Sequence, residues 1–452
     1  MPNDWDVVVV GAGLSGLMAA RTLVGAGKSV LVLEAQNRVG GRILKHDLGN
    51  GKVLELGGQW IGPTQDRMYA LCQEFGLETF PTYNTGEHLV HFMGKVSRMG
   101  SGRKAAPKFP PLALLDLLRS ARCLEQMSRD LDLEAPWNHP KAPLWDAQTF
   151  ATWIRTHART AHARGYFHLA TEALFSAEAH DLSLLHALFY LKSGGGLENL
   201  VSVDDGAQKE RIVGGSQRIC ERLAEGLGDR LRLNAPVRRI EQGQGSVCVV
   251  AEGFTATAER VIVTLPPTLA GRLVYDPPLP GVRDQLTQRT PAGSVIKLMV
   301  VYDEPFWRRE GLTGQAYSDV GPVRLVFDNS PPDGSPGVLL GFMEGQDGRR
   351  MSRLSREERE KAAVGCLERY FGPRARRYVE YLEKDWMADP WARGCYGAHF
   401  GPGTWTGYGQ ELRKPCGRIH WAGAETAPVW NGYMEGAVRS GERVADEILA
   451  LS

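Results

Sequence analysis

The chain has 452 residues, more than one typical domain, and its 53 basic and 52 acidic side chains leave a net charge of +1. That balance gives no electrostatic footprint for a nucleic acid or an acidic membrane surface, and no stretch is long and apolar enough to span a bilayer. Two domains are expected, with hydrophobic residues at 43% to fill their cores.

Asp4 and Asp6 precede the first apolar run, without the basic start and apolar core of an export signal. Val7 to Val10 is the unbroken apolar stretch of a strand buried on both faces of a parallel sheet. Gly11, Gly13 and Gly16 follow as G-x-G-x-x-G and open a helix carrying small Ala19 and Ala20. Gly11 permits the tight turn, Gly13 lets backbone approach a pyrophosphate, and Gly16 lets helix and strand pack closely. The helix N-terminus adds free N–H groups and the positive end of its dipole. A second apolar run, Val30 to Leu33, ends at Glu34, where an acid accepts hydrogen bonds from ribose hydroxyls. The glycines alone could form a turn that binds nothing; strand, helix and terminal acid in sequence point to a dinucleotide site.

From about residue 81 to 205 the pattern turns helical, with apolar stripes such as LALLDLL and LSLLHALFYL. The stretch from Asp204 to Pro267 predicts a helix, then strand, hairpin and strand, with Gly243 and Gly245 supplying the turn. Between about 285 and 385, strands such as SVIKLMVVY and GVLLGFM alternate with the helix SREEREKAAVGCLERYF. The last block returns to the glycine-rich style of the first. One domain is therefore expected from residues 1–80, 206–284 and 390–452, and the other from 81–205 and 285–389. The fold class is α/β, with a Rossmann-like nucleotide-binding domain and an α+β second domain.

The seven cysteines are scattered and contain no C-x-x-C, which argues against a disulfide framework and a structural zinc site. His157, His162 and His168 are spaced by five and six residues and do not share a helix face, so no metal is expected. Free thiols fit a cytoplasmic protein.

Just past Glu34, Arg38-Val39-Gly40-Gly41-Arg42 resembles the R-x-G-G-R signature of the flavin family that includes amine oxidases, phytoene desaturases and protoporphyrinogen oxidases. Nearly the whole chain resembles the flavin-containing monoamine oxidases, through LGGQWIGPTQ, DDGAQKERIVGGS, YDEPFW, CYGAHFGPG and WAGAETAPVWNGYMEGAV. The resemblance implies FAD in an extended pose, with Arg42 adding charge at the diphosphate and Glu425 on its phosphate side. It also implies adenine against the backbone of Val237, and Trp386 and Met434 by the flavin. Tyr396 and Tyr433 match the paired rings between which an amine threads. Lys297 matches a lysine that holds a water against flavin N5 and assists reoxidation; by strand alternation alone it could instead point to solvent. Cys395, one residue before Tyr396, matches the cysteine that covalent members join to the flavin 8α-methyl carbon. Gly394 is expected to let the backbone approach the ring, and the alternative for Cys395 is an inert buried thiol. Further cavity candidates are Trp60, Leu174, Val201, Gln208 and Leu325.

The implied activity is oxidative deamination of primary or secondary amines by hydride transfer to flavin N5. Oxygen is the acceptor, and the products are aldehyde, ammonia and hydrogen peroxide. The expected partners are a small amine and oxygen, with no nucleic acid and no membrane; a homodimer is left open. The mitochondrial members carry a C-terminal membrane helix, whereas this chain stops at Ser452, as a soluble bacterial-type relative of the putrescine or tyramine oxidases would. Two alternatives stay open: a polyamine or amino-acid oxidase of the same fold, with Arg324 as a candidate carboxylate anchor, and a non-catalytic flavoprotein module.

Overall fold

The computed structural model describes residues 4–49, 51–102 and 108–451. Two large sheets organise it. The first has eight strands and places Trp5–Val10 at its centre, parallel to Val30–Leu33 on one side and Phe254–Val263 on the other. Val7 to Val10 are almost wholly buried, as expected of a strand covered on both faces. Phe254–Val263 is long enough to do two things. It pairs antiparallel with Val247–Ala251, and its far end runs parallel to Ile419–Trp421. The predicted hairpin joins Val237–Gln242 to Val247–Ala251, closed by the Gly243 N–H donating to Ser246 O at 2.8 Å.

Four parallel strands of this sheet therefore end side by side, at Val10, Leu33, Val263 and Trp421. The residues that follow them are Gly11, Glu34, Thr264 and Ala422. In open α/β sheets, ligands bind outside the carboxyl ends of the strands.

The C-terminal helix Met434–Leu449 lies against the glycine-motif helix Leu14–Gly25. Their approach is close because Gly441 has no side chain; a Cβ there would come within 2.9 Å of Met18 Cβ. Ser15 and Ser440 hydroxyls meet at 2.8 Å, and the Gly423 N–H donates to both at 3.1 Å. These contacts bring the last sixty residues of the chain onto the first thirty.

The second sheet has seven strands, all from residues 87–100 and 295–385. Val295–Tyr302 sits between Gly337–Glu344 and Glu380–Asp385, antiparallel to both. Every residue of Val295–Tyr302 and of Gly337–Glu344 is buried. The even-numbered side chains of Val295–Tyr302 join a core with Trp307, Leu367 and Phe371. The odd-numbered face turns toward Trp60, Phe342 and Trp386. Helices between Pro111 and Val201 form a separate apolar cluster around Trp153, Phe167 and Phe189. The predicted helix following Ser355 spans Arg356–Phe371 and begins with a capping box between Ser355 and Glu358. Among the described residues no helix is long and apolar enough to cross a membrane.

Candidate active site

A cavity of about 580 Å³ runs from the carboxyl ends of the first sheet to the odd-numbered face of Val295–Tyr302. At its first end lie Gly11, Gly13, Glu34 and Val237, with Gly40, Gly41 and Arg42 beside them. Gly11 has φ +102°, a left-handed backbone that an L side chain rarely adopts. A Cβ on Gly13 would meet nothing within 4 Å, so its backbone lies open to the cavity. Gly13 also caps the helix without a side-chain partner, leaving the first N–H groups of the helix for a ligand. Gly16 does not line the cavity: a Cβ there would run into the carbonyl of Gly11, so its role is helix-to-turn packing, as expected.

Glu34 is 5% exposed, and its two oxygens accept from the N–H groups of Ala12 at 2.7 Å and Gln36 at 2.9 Å. Burial raises its carboxyl above the usual range against those two bonds. Arg42 lines the cavity and forms a two-pronged pair with Glu425, at 2.5 and 2.9 Å, while donating to Tyr396 O at 2.8 Å. Burial alone would raise Glu425, but the Arg42 guanidinium holds its carboxyl below the ordinary value. Glu425 thus stands behind Arg42 rather than in the cavity, because its turn aims it at the guanidinium.

Toward the other sheet lie Trp60, Leu174, Gln208, Lys297, Tyr396 and Tyr433, and Cys395, Trp386 and Met434 line the cavity as well. Trp386 is buried and its indole N–H donates to Leu56 O at 2.9 Å. Lys297 is 4% exposed. Both faces of its strand are covered, so alternation offers it no solvent side. Its Nζ donates to Gly57 O at 2.7 Å and Gln59 Oε1 at 2.5 Å, and the rings of Trp60 and Phe342 are centred 5.8 Å away. Burial pushes this amine below the ordinary lysine value, against the opposing charge of Glu55. The Tyr396 hydroxyl donates to Glu344 at 2.7 Å, and Tyr433 stands 6.0 Å from the Tyr190 ring. Burial raises both phenols above the ordinary tyrosine value, Tyr433 to about 12.

Besides Glu425, four expectations change. Val201 does not line the cavity; it is half-buried against the helical cluster at the end of Leu197–Val201. Leu325 faces the same side of the second sheet as Lys297 and Phe342 but lies beyond them. The register runs Lys297, Phe342, Leu325, Tyr317 across four strands, and only the first two of these border the cavity. Arg324 is no free anchor, since it pairs with Glu172 and Asp347, each at 3.1 Å. Gly394 has φ +138° and serves packing, for a Cβ there would stand 2.7 Å from Ala292 Cβ.

Sequence reasoning passed over Gln59, Tyr190 and Phe342, which line the cavity, and Glu344, which holds Tyr396. Glu344 had a signal: an acid closing the apolar run GVLLGFM. Gln59 lies inside LGGQWIGPTQ, and nothing in that segment marks it as the partner of a lysine 238 residues away.

The donors and glycines at the first end fit FAD: an uncapped helix N-terminus and an arginine for the diphosphate, an acid beside them for a ribose, and side-chain-free backbone at Gly13. Residues 14–449 match the model of the family described as flavin containing amine oxidoreductase. A probable flavin-containing monoamine oxidase A of Dictyostelium discoideum is 38% identical, over 99% of this chain and 98% of its own length. The human amine oxidase [flavin-containing] B is 40% identical, over 99% of this chain and 87% of its own length. Among solved structures, putrescine oxidase bound to putrescine superposes with a TM-score of 0.94 at 37% identity, covering 99% of both chains. Cyclohexylamine oxidase from Brevibacterium oxydans IH-35A has a TM-score of 0.94 at 31% identity, covering 100% of this chain and 99% of that one.

Proposed function

The chain belongs to the flavin-containing amine oxidoreductases, and we propose that within FAD-dependent amine oxidation it takes small primary amines with an apolar remainder and uses oxygen as acceptor. The narrower reading is carried by the lining at the Lys297 end of the cavity: Trp60, Leu174, Tyr190, Phe342 and the two tyrosines, with Gln208 as a neutral polar group. Among the described lining residues Glu34 is the one carboxylate, and it sits at the nucleotide end with both oxygens engaged. The second ammonium of a diamine or polyamine therefore meets no cavity-lining carboxylate at that end; Glu344 stands behind Tyr396, bonded to its hydroxyl, and does not line the cavity. Arg324, the anchor suggested for an amino-acid carboxylate, does not line the cavity and is already held by two acids.

Bound FAD supplies the acceptor for the two electrons lost from the carbon that bears nitrogen. The faces of Tyr396 and Tyr433 orient the amine, which reacts as the neutral base. Activity accordingly rises with pH as substrate deprotonates. Trp60 and Phe342 keep bulk water from Lys297, whose Nζ holds a single water at the cavity wall. The helix N-terminus at Gly13 and Arg42 hold the diphosphate, Glu34 a ribose, and the backbone of Val237 the adenine. Residues 1–80, 206–284 and 390–452 form the FAD-binding domain in this reading, and 81–205 with 285–389 form the substrate domain.

Cys395 would be the point of covalent attachment: its Sγ would replace one hydrogen of the flavin 8α-methyl group, the thiol and methyl protons leaving and the two electrons passing through the flavin to oxygen. Its support is position: it lines the cavity one residue before Tyr396. Burial pushes the thiol up to about 12, and the nearby Arg42 charge works against that rise. A cysteine-for-alanine variant of putrescine oxidase was solved in a redesign of cofactor binding.

Peroxide release tested over phenethylamine, tyramine, tryptamine, putrescine, spermidine and several amino acids should rank the aryl-alkyl monoamines first. A lead for putrescine or spermidine would overturn the narrower reading, and an anaerobic amine that fails to bleach the flavin would overturn oxidation itself. Acid-denatured protein should give a yellow pellet that turns colourless in Cys395→Ala; a colourless parent pellet rules out the bond.

A further inference from the structure

Behind Lys297 runs a chain of donors and acceptors that the reaction above does not use. The Gln59 amide, whose Oε1 accepts from Lys297, donates through Nε2 to Asn329 Oδ1 at 2.8 Å. The same Asn329 oxygen accepts from Arg211 Nη1 at 2.7 Å, and Arg211 also donates to the carbonyls of Asn329, at 2.9 Å, and Ser330. Four separate segments supply these residues. Gln59 precedes Trp60–Ile61, Arg211 lies on Glu210–Ile212 opposite Trp60, Asn329 follows Leu325–Asp328, and Lys297 is on Val295–Tyr302. None of the four is more than 5% exposed.

Only one orientation satisfies this chain. Lysine and arginine are donors without acceptors. Asn329 must therefore turn its oxygen to Arg211, and Gln59 must turn its oxygen to Lys297. With Asn329 Oδ1 in place, Gln59 can meet it only through Nε2. Reversing the Gln59 amide would set N–H against Lys297 and oxygen against oxygen at Asn329. A buried cation at Arg211 thus dictates what Lys297 sees two residues away along the chain of bonds. Nζ is tetrahedral: one position is its bond to carbon, and two carry the hydrogens donated to Gly57 and Gln59. The fourth is left for the cavity that Lys297 lines.

We propose that Arg211, Asn329 and Gln59 are positioning residues that lock Lys297 so that its one uncommitted Nζ position points into the cavity, a lone pair in the neutral amine and an N–H in the ammonium. The proposal rests on the reading of Lys297 as the residue that serves oxygen. The charged and titratable groups around Nζ are Glu55, which accepts from Ser216 N and Oγ, Arg211, and the neutral thiol of Cys395. Lys384 on the neighbouring strand is neutralised by Asp389 at 2.5 Å. Burial and Arg211 favour the neutral amine, and Glu55 opposes them.

The test uses FAD-loaded protein and two readouts. The first is an NMR titration of Lys297 with isotope-labelled lysine, its resonance identified by its loss in Lys297→Met. The second is stopped-flow measurement of flavin reduction and reoxidation separately. Gln59→Glu keeps an acceptor at Lys297 but makes it a carboxylate, and should raise the titration by about one pH unit or more. Gln59→Leu and Asn329→Leu should each slow reoxidation by about tenfold, and slow it more than reduction. The double variant should fall no further than Gln59→Leu alone, because both cut the same chain. Additive losses, a silent Asn329→Leu, or an unmoved titration in Gln59→Glu would overturn the relay. If the leucine variants do not fold, the near-isosteric Gln59→Glu titration decides. A normal reoxidation rate in Lys297→Met would instead overturn the role of Lys297, and the titration would still judge the relay.

Discussion

Arg42→Met tests the join between the two ends of the chain, since it strips Glu425 of the guanidinium it is paired with while leaving the carboxylate in place. Glu425 is 2% exposed and Arg42 is 22% exposed, so the pair is screened by little water. It comprises two charge-assisted bonds, at 2.5 and 2.9 Å, each worth roughly 1.5–3 kcal/mol. Breaking one side of a buried pair costs about 3–5 kcal/mol, because the surviving charge stays buried. Glu425 keeps a long bond from the Ala398 N–H at 3.3 Å. That remnant, and the option of taking up a proton, place the expected loss near the lower end, at about 3 kcal/mol. Urea unfolding of FAD-loaded protein, followed by tryptophan fluorescence, reads it as a lower midpoint. The double variant Arg42→Met/Glu425→Gln should recover part of the loss, since the amide carries no stranded charge. The pH dependence has a definite sign. Glu425 is held below its ordinary value of 4.5, so its contribution is present above that pH and fades as pH drops through the folded value. The gap between parent and Arg42→Met should therefore close in acid. A loss below about 1 kcal/mol, or a double variant equal to the sum of the singles, would refute the argument.

Glu34→Ala, made in a Cys395→Ala background so that no tether masks the result, should weaken FAD retention on dialysis by about 1.5–3 kcal/mol. Part of that loss comes from the N–H groups of Ala12 and Gln36, which lose their acceptor; full retention would displace the ribose from this end of the cavity. Glu344 is pushed up to about 8, by burial first and then, against its bond from Tyr396, by the Glu172 charge. A carboxyl raised on folding contributes fully below about 4.5 and loses that contribution as pH rises through 8. Glu344→Gln retains an acceptor for Tyr396 and cannot ionise, so its urea midpoint should fall less than the parent's between roughly pH 5 and pH 9. Parallel pH profiles would show that Glu344 does not titrate in this range.

Local chemistry was readable wherever a residue's role depends on its neighbours in the chain. Gly11 and Gly13 announce a backbone that approaches a ligand, and Val7 to Val10 announce a doubly covered strand, because steric freedom and apolar periodicity are properties of a few consecutive residues. The same holds for the hairpin at Gly243 and for the helix that starts at Ser355. The resemblance in the last sixty residues brought Cys395, Tyr396 and Tyr433 into one reading, and the structure lines one cavity with all three.

The tertiary structure decided what depends on contacts between distant segments. Lys297 could have faced solvent on a one-sided strand; it is buried because Gly337–Glu344 and Glu380–Asp385 flank it and cores cover both faces. Leu325 is removed from the cavity by the order of strands, a fact absent from its own segment. Glu425 and Arg42 meet across 383 residues, and Gln59 finds Asn329 across 270. Hydrogen-bond direction in a buried network is set by its most constrained member, here the donor-only Arg211, so the state of Lys297 belongs to the assembled fold. The sequence alone determined the elements and the chemistry each could offer; which groups face each other, and which charges answer them, came only with packing.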